Sequence, residues 1–196
     1  MNNGSVTTGK LGMRGFVTLL LVALAAGASA ADIGGVPLDD KATVGGQQLV
    51  LNGGGVRKRV IFRVYVASLY LPQKAADLSG VLAQSPRRIR LDMLRTLSAD
   101  TFIDALNEGL ETNNPAAEMA AIKPGAEQLA TLMKAFGQVK DKDVVALDFY
   151  DGATHVVLNG VDSGSVPGER FNQALTRIWL GDKPVQADLK KALLGD

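Results

Sequence analysis

The twelve residues Val60-Ile61-Phe62-Arg63-Val64-Tyr65-Val66-Ala67-Ser68-Leu69-Tyr70-Leu71 constrain this chain more than any other stretch, and Pro72 stops them. They are rich in β-branched and aromatic side chains, which suit a pleated, half-buried surface. Apolar residues fall on both parities for most of the run, so it reads as a central strand covered on both faces. Upstream, Gln48 to Asn52 reads as another strand, and Gly53-Gly54-Gly55 then permits a bulge or a close backbone approach. Downstream, Arg88 to Leu94 alternates strictly, as a strand with one wet face would.

The middle of the chain changes period. Ser98 can cap a helix whose Phe102, Ile103, Leu106 and Leu110 form one stripe, ending before Asn113-Asn114-Pro115. A second helix is predicted from Gly125 to Phe136, closed by Gly137. Val144–Phe149 and Thr154–Leu158 then flank Asp151-Gly152, and Asn159-Gly160 follows, so two hairpin turns come in quick succession. Helices over about 168–180 and 185–194 close the chain. Leading strands, grouped helices, a returning hairpin and terminal helices spell an α+β fold rather than alternating βαβ units.

The first residues read as a secretory leader and not as part of that domain. Lys10 and Arg14 precede the apolar run Gly15–Ala26, and Ala28-Ser29-Ala30 supplies a small-x-small cleavage pattern. The run is roughly 12 residues, short of the ~20 a bilayer crossing needs. A signal peptide over residues 1–31 and one domain over 32–196 are therefore expected, with the mature protein in the periplasm and without an integral membrane segment.

Loss of Lys10 and Arg14 with the leader takes the formal net charge from +1 to −1. So even a balance gives no electrostatic footprint for nucleic acid or for an anionic membrane surface. The chain has no cysteine, which removes disulfides, thiolate nucleophiles and Cys-based metal sites. His155 is its one histidine, which removes Ser-His-Asp and multi-His zinc chemistry. No metal and no cofactor are expected, and the protein is expected to act as a monomer.

The densest chemical feature is Gly53-Gly54-Gly55-Val56-Arg57-Lys58-Arg59, running into the long strand. Arg57 and Tyr65 share a parity, yet along one continuous strand they would stand roughly 26 Å apart. A turn near Lys58-Arg59 would fold them onto adjacent strands, about 10 Å apart and within reach of one bound molecule. Composition alone reads these cations as a solvated strand end. The triple glycine lacks the Gly-Lys-Ser/Thr ending of a phosphate loop. The Asp39-Asp40, Asp141-Asp143 and Asp148-Asp151 groups read as surface charges, His155 as a cross-strand surface residue, and Trp179 as core.

Taken in order, Gly53-x-Gly55-x-Arg57-x-Arg59, Phe62-x-Val64-Tyr65 and Leu69-Tyr70-Leu71 resemble the signature of the chalcone isomerase-like superfamily. Ser165-Val166-Pro167 and Ile178-Trp179-Leu180-Gly181-Asp182 look like its closing helices. The bacterial exported branch is most similar, with the plant fatty-acid-binding branch beside it. The resemblance implies an open-faced β-sandwich: a large antiparallel sheet covered by a helical layer, with a ligand cleft between them. In the catalytic branch an arginine at the position of Arg57 holds the substrate phenolate. Tyr65 falls where plant isomerases carry a threonine, and resembles the tyrosine that helps hold a carboxylate in the non-catalytic branch. Phe102 stands at the isomerase tyrosine position, and Ala105 and Gly109 stand where a lysine and an asparagine belong; Asn107 faces elsewhere.

The resemblance thus implies a binder of a fatty acid or similar apolar carboxylate. Arg57 and Tyr65 would be its anchor, with Phe102, Ile103 and Leu106 lining the cleft and the three glycines letting the backbone crowd its mouth. An arginine fork suits a carboxylate, and an apolar cleft suits an acyl chain. Arg59 is expected to matter little. The alternative is an isomerase, an intramolecular lyase acting on a chalcone-like phenolic enone, with Arg57 catalytic. A third reading, an envelope partner protein with a vestigial cleft, would show that cleft closed and filled.

Overall fold

The computed structural model describes residues 1–4 and 31–196, so the secretory leader read over residues 1–31 lies almost wholly outside the described residues. A small hairpin, β1 (Ala31–Ile33) and β2 (Val36–Leu38), precedes β3 (Lys41–Val44), β4 (Gln47–Arg59) and β5 (Phe62–Leu71). There follow α1 (Leu78–Leu82), β6 (Arg87–Met93), β7 (Leu97–Ser98), α2 (Ala99–Asn113), α3 (Ala116–Lys134) and β8 (Gln138–Val139). The chain ends with β9 (Val144–Tyr150), β10 (Ala153–Leu158), β11 (Val161–Pro167), α4 (Glu169–Leu180) and α5 (Ala187–Leu193). Seven strands form one antiparallel sheet in the order β11-β10-β9-β6-β5-β4-β3. This is the expected α+β, open-faced architecture.

β5 sits inside the sheet, and its alternation decides which side chains reach which layer. Tyr65, Ala67, Leu69 and Leu71 join the main core with Phe102, Ile103 and Leu106 of α2 and Ile178 and Trp179 of α4. On the opposite face Tyr70 packs with Val44 and Leu49, and Val66 and Ser68 are also fully buried. Paired charges cover that face further along: Arg88 grips Asp148 through two bonds of 2.5 and 2.6 Å, and Arg90 grips Asp92 at 2.9 and 2.7 Å. Asp148 is therefore a buried partner and not the loop charge its sequence neighbourhood suggests.

Ser98 caps α2 as expected, its hydroxyl accepting the Thr101 N–H at 3.2 Å. Asp151-Gly152 and Asn159-Gly160 all take positive φ, the geometry of tight hairpin turns. Other boundaries differ from the sequence reading. β4 does not end at Asn52 but continues through the glycines to Arg59, and Val60-Ile61 form a turn rather than the start of β5. α3 begins at Ala116, nine residues before the predicted start, and carries Pro124 inside it. Tertiary packing holds the helix across that proline. Ile122 is buried, and the absent side chain of Gly125 lets the Phe171 ring of α4 close in, its Cγ 2.8 Å from where a Cβ would lie. β11 was implied only by the Asn159-Gly160 turn, because Val-Asp-Ser-Gly-Ser-Val-Pro has turn composition; as an edge strand it tolerates Pro167.

Candidate functional site

The β4–β5 hairpin places Arg57 directly opposite Tyr65 in the ladder. Cross-strand neighbours stand about 4.5–5.5 Å apart at Cα, closer than the sequence reading allowed. The turn lies at Val60-Ile61, not at Lys58-Arg59, and a register shift just after Arg57 absorbs the difference. The apolar character of Val60 and Ile61 disguised them as strand.

Arg57 is partly exposed, and Gln186, at the head of α5, fixes its surroundings. The Gln186 amide oxygen accepts the Lys58 N–H at 2.8 Å and a longer bond from Arg57 Nη1 at 3.5 Å, while Nε2 donates to the Val56 carbonyl at 3.2 Å. Arg57 Nη1 also donates to the Lys58 carbonyl. Tyr65 is buried, and its oxygen accepts the Trp179 indole N–H at 3.1 Å. Burial pushes the phenol above its ordinary value, with the Trp179 hydrogen bond and the Arg57 guanidinium pulling part of the way back. At neutral pH the phenol thus stays protonated. Because the oxygen is already an acceptor, its own hydrogen is free to donate.

These groups face a cleft of about 630 Å³ between the hairpin, α2, α4 and the segment 183–185. Such a volume falls within the range of about 300–1,000 Å³ typical of small-molecule sites. Phe102, Leu106, Val64, Ile178, Trp179 and Val185 supply apolar wall. Arg57, Arg59, Arg95 and Lys183 supply charge, and Glu108 is the one acid among the lining residues. The cleft is open, contrary to the filled cavity that a vestigial site would show. Ile103 does not line it. That side chain lies in a narrow crevice against Leu129 and Met133 of α3, on the other flank of α2. Arg59 does line it, so the expectation that Arg59 is a bystander is not supported; Lys58, exposed and outside the cleft, is the neutral comparison.

Sequence reasoning missed Arg95, Lys183 and the bracing of Arg57 by Gln186, since each reaches the site through a loop or a helix start distant in the chain. Trp179 was read as core, and it is fully buried, yet it also walls the cleft and holds Tyr65. The triple glycine has a different use from the one expected. A Cβ on Gly53 would lie 2.1 Å from the Ala192 carbonyl, and one on Gly55 2.9 Å from the Ala192 methyl, so these glycines admit α5 onto the sheet. Gly54 points the other way, 2.9 Å from Leu38, under the β1–β2 hairpin.

The positions where an isomerase would keep polar side chains are apolar here. Phe102, Ala105 and Gly109 all line the cleft. Gly109 has no room for an amide: its Cβ would lie 2.7 Å from the Ile178 methyl. Asn107 belongs to the crevice behind α2. Asn113 reaches the cleft wall, but its amide is spent on the Gly109 and Lys183 carbonyls at 3.0 and 2.8 Å. Among the described residues no cluster of three or more His, Cys, Asp or Glu could hold a metal, and no helix is long and apolar enough to cross a membrane.

The family described as chalcone isomerase-like matches residues 30–195. The chain belongs to the chalcone isomerase-like family. Among solved structures the family fold is seen in the fatty-acid-binding protein of Arabidopsis thaliana, to which this chain is similar at 14% identity with a TM-score of 0.58. The likeness covers 79% of this chain and 95% of the plant protein. No curated protein matches by sequence. At that identity the plant structure establishes the shared fold, and the family membership covers every element from β1 to α5.

Proposed function

We propose that this member of the family is a non-catalytic, monomeric binder of a fatty acid or similar apolar carboxylate, acting in the periplasm. One observation carries the reading: Arg57 and Tyr65 are cross-strand partners on the wall of an open cleft that combines an apolar wall with the further cations Arg59, Arg95 and Lys183. A guanidinium offers parallel donors to a carboxylate, and a neutral phenol with a spare hydrogen offers a third. The apolar wall from Phe102, Leu106 and Ile178 suits an acyl chain. A similar fold in a plant fatty-acid-binding protein supports the same choice of ligand.

The lining argues against turnover of a phenolic enone. Cyclisation needs donors on the phenolate and on the developing enolate, and each such donor contributes about 10²–10³ in rate. Phe102, Ala105 and Gly109 supply none, which leaves donation in the cleft to Arg57 and Tyr65, to the cations Arg59, Arg95 and Lys183 and to the hydroxyls of Thr101 and Thr112. Native mass spectrometry of the purified protein should show an adduct of fatty-acid mass, released by an organic extraction. The same preparation should not accelerate chalcone cyclisation above the spontaneous rate. Adduct-free protein that fails to take up added fatty acid, or turnover in the ordinary enzyme range, would overturn the reading.

A further inference from the structure

The tip of the β4–β5 hairpin exposes three consecutive apolar side chains: Val60 by 89%, Ile61 by 81% and Phe62 by 55%. Apart from Met1 and Val161, they are the only large apolar side chains so exposed among the described residues. Single exposed apolar residues are ordinary, but contiguous ones mark an interaction surface. Lys58, Arg59 and Arg63 flank the tip in sequence, and the Arg95 guanidinium sits 4.9 Å over the Phe62 ring. No acid occurs anywhere between Asp40 and Asp77. An apolar wedge is thus ringed by cations, a segregation that the near-zero net charge of the whole chain conceals.

We infer that this tip docks the protein on an anionic membrane surface. Val60 and Ile61 would enter the acyl boundary while Lys58, Arg59 and Arg95 meet lipid phosphates, the pairing that interfacial anchors use. Arg63 is held by the Gly34 carbonyl. A second copy of the chain satisfies the wedge but sets cation against cation. Nucleic acid satisfies the cations but leaves the wedge in water. Only a charged bilayer surface answers both. Val60 and Phe62 also line the ligand cleft, so docking sets its opening against the lipid. An apolar ligand can then pass between bilayer and cleft with little exposure to water.

The test is co-sedimentation with vesicles of phosphatidylcholine alone and of equal parts phosphatidylcholine and phosphatidylglycerol. The protein should bind the anionic vesicles at least about tenfold more tightly, and lose that preference as salt rises. Ile61→Asp and, separately, Lys58→Glu should each weaken anionic binding by about tenfold. All proteins compared begin at the same residue, so a difference between them reads on the tip. Neither Ile61 nor Lys58 lines the cleft. Titration with a fluorescent fatty acid in the absence of vesicles should therefore be unchanged, which also separates failure of docking from failure of ligand binding. Equal binding of Ile61→Asp and the parent, or equal binding to the two vesicle types, would overturn the inference. So would sedimentation velocity showing tip-dependent self-association without vesicle binding, which would make the tip a contact between copies.

Discussion

The Tyr65 oxygen accepts the Trp179 indole hydrogen at 3.1 Å, which ties the ligand wall to the core of α4. Tyr65→Phe therefore removes more than a ligand donor. It leaves the buried Trp179 N–H without a partner, a loss of about 1–3 kcal/mol, and a urea melt should show it. Fatty-acid affinity should fall by a smaller amount, about 0.5–1.5 kcal/mol for one neutral hydroxyl. An unchanged melt would mean that Trp179 finds another acceptor. Burial also raises the pKa of Tyr65 above 10.0, and of Tyr70 likewise. In the unfolded chain these phenols lose their protons near pH 10, while the folded protein holds them neutral. Stability from this source is complete below pH 10 and drains away as pH climbs past it. An alkaline unfolding series should show that decline, made shallower by Tyr65→Phe. That Arg57 and Tyr65 stand on adjacent strands was legible in the sequence from their shared parity and an intervening turn, while their direct pairing depends on where that turn falls. The turn itself was not, since two β-branched residues occupy it and their exposure depends on how far the hairpin projects beyond the helices.

At the level of elements, close approach at glycine decides how the helices seat. Gly53 and Gly55 bring α5 down on β4, and α5 in turn begins at Gln186, which braces Val56, Arg57 and Lys58. Gly53→Ala sets a methyl against the Ala192 backbone carbonyl and should cost about 1–3 kcal/mol, the range for overpacking. Limited proteolysis should then cut near α5 first, and ligand affinity should fall because Gln186 moves with the helix. A variant as stable and as protease-resistant as the parent would show that α5 yields freely. The sequence marked the glycines as a place of close approach and left open what approaches, because α5 lies more than a hundred residues downstream. The start of α3 was hidden for a related reason. Pro124-Gly125 reads locally as the start of a helix, and the structure instead carries the helix through it from Ala116, with Phe171 seated against Gly125.

For the molecule as a whole, the large antiparallel sheet was implied by the family resemblance, while the α+β order followed from periodicity, turn pairs and the long central strand. The cleft did not, since it exists only where α2, α4, the hairpin and the segment 183–185 meet. Phe102 and Leu106 line it, while Ile103, one residue from Phe102, turns toward α3. A stripe on a helix shows which side is apolar without showing which of two neighbours each residue meets. The leader read from Lys10 to Ala30 leads to a separate expectation. Amino-terminal sequencing of protein from a periplasmic extract should begin near Ala31 or Asp32, and an intact amino terminus in a membrane pellet would contradict export.

The central claim is that Arg57 holds a carboxylate inside the cleft, and titration of variants with a fluorescent fatty acid tests it most directly. Arg57→Ala should weaken binding by about 1.5–3 kcal/mol, the range for a charge-assisted hydrogen bond. Arg57→Lys should recover only part of that, because an ammonium cannot make the fork. Lys58→Ala removes an exposed cation of the same hairpin and should change affinity by less than about 0.5 kcal/mol. Small and equal losses at Arg57 and Lys58 would mean general charge attraction, and would contradict the anchor.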